Sequence, residues 1–168
     1  IFDATGDKAG LAAILFTISE VHQSKGSYAQ ALESSQKALS IFESIGDKRG
    51  LAMAFNGMGV THLSQGNYAQ ALEYYQKALF IREAIGDKPG LVTTLNNTGE
   101  AYLAINQPDK AKQSFMAAIA AVEQLRAGAA GGEREQQQFF EHMVAPYYAM
   151  SDLLAENNGK AEALRYAE

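Results

Sequence analysis

The chain has no cysteine, only three prolines and no long apolar run. Without cysteine there is no disulfide framework and no thiol chemistry, which sets the expectation of a cytoplasmic protein. No stretch nears the roughly 20 apolar residues a membrane helix needs. No secretory leader pattern is present. Basic residues are scarce: 14 Lys and Arg stand against 19 Asp and Glu, a net charge of −5. No Lys/Arg cluster breaks that balance, and nucleic-acid binding wants a basic face. Runs that alternate apolar and polar residues, the mark of a half-buried strand, are absent. So are a glycine-rich phosphate loop, a Ser–His–Asp set and a paired-carboxylate signature. The expectation is a chain with no catalysis of its own, no cofactor and no metal.

What is present is a repeat. Gly-Asp-Lys-x-Gly occurs at Gly6 to Gly10, Gly46 to Gly50 and Gly86 to Gly90, 40 residues apart each time. A second element keeps the same period. Gly26-Ser-Tyr-Ala-Gln-Ala-Leu32 matches Gly66-Asn-Tyr-Ala-Gln-Ala-Leu72, with a degraded copy from Asn106 and a partial one from Asn158. A fixed period of this size signals a repeat architecture.

Each period holds two helical patterns. Leu51, Phe55, Met58 and His62 recur three and four apart, one face of a helix. Tyr68, Ala71, Leu72, Tyr75, Ala78, Leu79 and Arg82 do the same. Gly66-Asn67 makes the turn between them. Gly46 and Gly86 read as the left-handed residues that end a helix, and Asp47 and Asp87 as N-caps of the next. The threefold recurrence of Gly-Asp-Lys-x-Gly therefore reads as helix punctuation rather than a nucleotide site. Gly59 and Gly99, and Ala31, Ala71, Ala111 and Ala163, fall at equivalent positions. A helix-interior glycine costs about 0.8–1 kcal/mol against alanine, so two copies at one position point to close backbone approach. One hairpin cannot bury its apolar face alone; stacked copies can. The fold class expected is all-α.

The pattern resembles the tetratricopeptide repeat (TPR). That family places a large apolar residue, Leu-Gly and an aromatic on the first helix, then Ala, an aromatic and Ala on the second. Phe55, Met58-Gly59, His62, Ala71, Tyr75 and Ala78 fit this frame. So do Leu95, Thr98-Gly99, Tyr102, Ala111, Phe115 and Ala118. Leu15, Ile18-Ser19, His22, Ala31, Ser35 and Ala38 fit it more loosely. The proline that usually closes each repeat is missing. The 40-residue period is similar to that of kinesin light chains, Leu-Gly-Asn repeat polarity proteins and many bacterial TPR proteins. The resemblance implies a right-handed superhelical solenoid. It puts the end of a preceding second helix at 1–6, repeats at 7–46, 47–86 and 87–126, and a partial fourth at 133–168 after a loop at 127–132. It also makes His22 and His62 occupants of a core aromatic slot, while His142 reads as solvated.

In that family the first helices line a concave groove, so the resemblance implies an interaction scaffold gripping an extended peptide. On the family frame the groove positions are Phe16, Thr17 and Glu20; Asn56, Val60 and Leu63; Asn96, Asn97 and Glu100; and Tyr148, Asp152 and Glu156. Glu20, Glu100 and Asp152 form an acidic set, Asn96 and Asn97 can each donate and accept, and no Lys or Arg occupies these positions. The expected partner is a protein or peptide segment carrying Lys or Arg, and not a C-terminal carboxylate. The stretch from Pro146 to Glu168 is similar to the last repeat before the peptidase domain of bacterial TPR–CHAT proteins, which implies an alternative role as the regulatory arm of such an enzyme. Apolar faces at both ends of the array set a further expectation of end-to-end self-association. Asn106 and Asn158 stand 52 residues apart, so the register slips there. Ala127 to Gly132 reads as a flexible, hinge-like loop. Glu133 to Glu141 reads as a helical start, with Pro146 breaking the helix it leads into.

Overall fold

The computed structural model describes residues 4–128 and 143–156. Among these residues there are seven α-helices: α1 Ala4–Ser24, α2 Tyr28–Ile45, α3 Lys48–Ser64, α4 Tyr68–Ile85, α5 Lys88–Ala104, α6 Pro108–Gly128 and α7 Ala145–Glu156. They divide into two compact units, residues 1–87 and 88–168. The first contains the hairpins α1–α2 and α3–α4, with α3 packed on both α2 and α1. The second contains the hairpin α5–α6, with α7 packed on both.

Punctuation follows from backbone chemistry. Gly46 ends α2 with φ of 70°, and the Asp47 N–H reaches back to the Phe42 carbonyl at 2.9 Å. That closes a carbonyl which the helix terminus leaves open. Gly86 repeats this after α4. Asp47 then starts α3, its Oδ1 accepting from the Gly50 N–H at 2.9 Å. The first Gly-Asp-Lys-x-Gly copy behaves differently. Gly6 to Gly10 lie inside α1, which is continuous from Ala4.

Close approach explains the repeated small residues. Ala31, Ala71 and Ala111 are fully buried. A Cβ on Gly59 would strike the ring of Tyr75, and one on Gly99 the ring of Phe115. Both rings are fully buried, so each glycine makes room for the large aromatic of its own hairpin. Gly50 on α3 makes room in the same way for Phe42 of the preceding hairpin. Pro146 is the second residue of α7. It sits in the first turn, where its missing N–H costs nothing, rather than interrupting a longer helix. The helical start expected at Glu133 to Glu141, most of the 127–132 loop, His142 and Ala163 lie outside the described residues.

His62 occupies the aromatic slot expected of it. It is buried and stacked on Tyr74, the rings 5.3 Å apart and 6° from parallel. Burial holds its imidazole below the ordinary value of 6.5, and its buried Nδ1 has no hydrogen-bond partner. A folded value below the unfolded one means that the unfolded chain binds more protons as pH falls. Stability from this slot is therefore full above 6.5 and declines as pH drops beneath it. Chemical unfolding on either side of that value should show the decline. His62→Tyr, which installs the residue found at Tyr102, should flatten it, and an equal slope in both proteins would contradict the assignment.

Candidate functional site

In the first unit, α1 and α3 lie side by side and leave a shallow cleft of about 370 Å³. Its floor is apolar: Ala9, Ala13 and Phe16 from α1, Gly50 and Met53 from α3, and the Phe42 edge from α2. Thr17, Glu20, Asp47 and Arg49 supply the polar positions. The helices approach closely beneath it, since a Cβ on Gly57 would come within 2.9 Å of the Phe16 ring. The cleft forms because Ala13, Phe16, Thr17 and Glu20 recur three or four apart and so share one side of α1.

The polar groups are differently engaged. Thr17 Oγ1 donates to the Ala13 carbonyl at 3.1 Å, inside its own helix. Asp47 is occupied as a cap. Arg49 Nη2 donates to Asp87 Oδ1 at 3.2 Å, with Asp87 buried and Arg49 largely exposed. Glu20 is exposed at the rim.

Three of the sequence-derived groove residues, Phe16, Thr17 and Glu20, therefore meet in one cleft. Asn56, Val60 and Leu63 are half-buried on α3 and do not line it. Sequence reasoning missed Arg49 and Met53. Arg49 fills the variable place of Gly-Asp-Lys-x-Gly, where the other copies carry Ala9 and Pro89. That variation was the available signal, and it puts a basic group on a rim expected to be free of one.

The second unit carries the remaining candidates. Asn96 and Asn97 are half-buried on α5, and Glu100 is exposed. Asn96 Nδ2 donates to Glu100 Oε1 at 2.8 Å, one helical turn away. The amide expected to grip a ligand is thus already tied within the helix, and its buried Oδ1 has no partner. Tyr148 and Asp152 are exposed on α7, which packs against α5. The neighbouring Tyr147 faces the other way. Its hydroxyl donates to Glu123 Oε1 at 2.5 Å and ties α7 to α6, and burial with this bond pushes the phenol well above its ordinary range.

No helix among the described residues is long and apolar enough to cross a membrane. Among the same residues no group of three His, Cys, Asp or Glu side chains is placed to hold a metal.

The family model for the tetratricopeptide repeat matches residues 10–84 and again 50–124. The chain belongs to the tetratricopeptide repeat family. No curated protein sequence matches it significantly. Among solved structures, the TPR chain is similar to aspartyl phosphate phosphatase F from Bacillus subtilis, at 18% identity and a TM-score of 0.82, over 95% of this chain and 39% of that one. It is also similar to the apo form of RapI, at 18% identity and a TM-score of 0.76, over 99% of this chain and 55% of that one. The TPR domain of Arabidopsis FLU aligns at 20% identity and a TM-score of 0.64, over 70% of this chain and 98% of that domain. At these identities the likeness is one of fold. The TPR chain spans about half the length of RapI. Its helical repeats make it an interaction scaffold of the kind this family builds.

Proposed function

We propose that the protein holds an extended segment of a protein partner against the α1–α3 face, and that it performs no catalysis of its own. The observation that carries this reading is the cleft. It joins an apolar floor of Phe16, Ala13 and Met53 to an exposed carboxylate at Glu20. An apolar ligand side chain fits the floor. The Arg49 guanidinium is already engaged by Asp87, so Glu20 is the charge offered to a ligand, and a Lys or Arg beside the apolar residue is its complement. The second unit, taken by itself, carries the acids Glu100 and Asp152 and the exposed ring of Tyr148.

Binding of apolar–basic peptides, measured by titration against the purified chain, tests this directly. An exposed charge pair contributes about 0.2–1 kcal/mol. Glu20→Lys replaces that attraction by repulsion, so it should weaken binding by about tenfold at low salt and by less at high salt. Met53→Ala should weaken binding at every salt concentration. Peptide affinity indifferent to both substitutions would remove the cleft from consideration. A loss with Met53→Ala alone would remove only the acidic component.

A further inference from the structure

The cleft between α1 and α3 is built from residues that depart from the repeat. At the place of Phe16 the other copies carry Asn56 and Asn96. At the place of Met53 they carry Ala13 and Thr93, and at the place of Gly57 they carry Thr17 and Asn97. Phe16 and Met53 both line the cleft, one from each helix. Gly57 lies against Phe16: an added Cβ would come within 2.9 Å of its Cε2. The departures therefore act together. Glycine clears the space that the Phe16 ring enters. The ring and the Met53 thioether then form the floor, where the repeat otherwise offers amides, a methyl group or a hydroxyl.

The chemistry of this floor narrows what it takes. Phe16 is half-buried, so part of its ring is open, and Met53 is 39% exposed. The Phe42 ring joins them, with no side chain at Gly50 in its way. Two rings and a thioether meet a ligand ring in ways they cannot meet a branched aliphatic side chain. Aromatic rings pair edge to face or offset, which adds to the gain from burying area. A thioether sulfur is attracted to a ring, and its unbranched chain adapts to what lies against it. Ala9 and Ala13 are short, which leaves the recess its room. Its volume of about 370 Å³ stands at the low end for ligand pockets, which suits one large side chain.

We propose that the apolar residue seated here is aromatic, with the ligand's Lys or Arg beside it at Glu20. This rests on the reading of the cleft as the seat of a partner segment, and it names the residue that the segment presents. Phe16 and Met53 are then the specificity-determining residues, and Gly57 positions Phe16. On α5 the same places hold Thr93 and Asn96, which supply neither ring nor sulfur, so the preference belongs to the first unit.

Titration of the purified chain with three peptides tests the proposal. The peptides share one sequence, with a Lys beside a variable position that holds Phe, cyclohexylalanine or Leu. Cyclohexylalanine has the size of the ring without its π-system, so area burial alone would place it level with Phe or above. The Phe peptide should bind about two- to tenfold more tightly than the cyclohexylalanine peptide. Met53→Leu, at an exposed position, keeps the volume and apolar character of the floor. It should narrow that ratio while leaving the cyclohexylalanine peptide bound as before, and Phe16→Leu should narrow it further. Three peptides that bind equally would overturn the proposal and leave the cleft an unselective apolar seat. A preference for Phe that neither substitution changes would overturn it too, because the preference would arise elsewhere. Binding of none of the three would overturn the reading of the cleft itself, and the aromatic preference with it.

Discussion

Replacing Phe115 by alanine is expected to cost about 3–5 kcal/mol, the range for deleting a buried aromatic ring. Phe115 is fully buried in the second unit, in one cluster with Ala111, Met150, Leu153 and Leu154, and with Tyr102 and Ile119 against it. It therefore joins α6 to both α5 and α7, and its loss opens a cavity among three helices. Gly99 sharpens the test. Its missing side chain makes room for this ring. In the native protein Gly99→Ala should destabilise, because overpacking costs typically about 1–3 kcal/mol. That outweighs the gain of at most about 1 kcal/mol in helix propensity. In the Phe115→Ala background the obstruction is gone, so Gly99→Ala should stabilise. Urea unfolding of the four proteins measures the cycle. A Gly99→Ala effect of the same sign in both backgrounds would show that the glycine is not there for the ring.

Asp87→Ala should be nearly as costly, on the order of 3 kcal/mol, for an electrostatic reason. Arg82 is buried, 5% exposed, near the end of α4. Burial pulls its guanidinium below the usual arginine range; the nearby Asp87 carboxylate opposes that shift and the Arg49 charge adds to it. Asp87 is buried as well and accepts from Arg49. Removing the carboxylate leaves a buried cation beside a second cation. The seat itself has no need of a charge: its equivalents in the neighbouring hairpins are Phe42 and Val122, both buried. Arg82→Met should therefore cost less than Asp87→Ala, because Asp87 keeps its bond from Arg49 and no buried cation is left without its carboxylate. In the Arg82→Met background Asp87→Ala should lose most of its effect. Equal losses in both backgrounds would place the role of Asp87 in its backbone surroundings instead of its charge.

Arg82 also marks where sequence reading stops. Its spacing put it on the apolar face of α4, as the structure does, but periodicity cannot say that a charge would be buried there or what would balance it. His62 was more legible. A residue that alternates with Tyr102 at one repeat position belongs to a packed slot, and it stacks on Tyr74. The candidate site was legible in part. Phe16, Thr17 and Glu20 follow from helical spacing on one helix. Arg49 and Met53 join them from another helix, and no spacing along the chain encodes that meeting. Asn96 looked available because its side chain can both donate and accept. Its distance from Glu100, one turn on, decided that its donor is already used.

Local chemistry determined the helices, their ends and the repeat, because a glycine of φ 70° after α2 and an aspartate capping α3 act within a few residues of themselves. The first copy of the motif, Gly6 to Gly10, lies inside α1 instead. Tertiary structure decided which faces were covered. Ala54 is fully buried in one cluster with Leu39 and Phe42 of α2, because burial depends on what lies across from a residue, and that is set by packing between helices rather than by the order of residues along one.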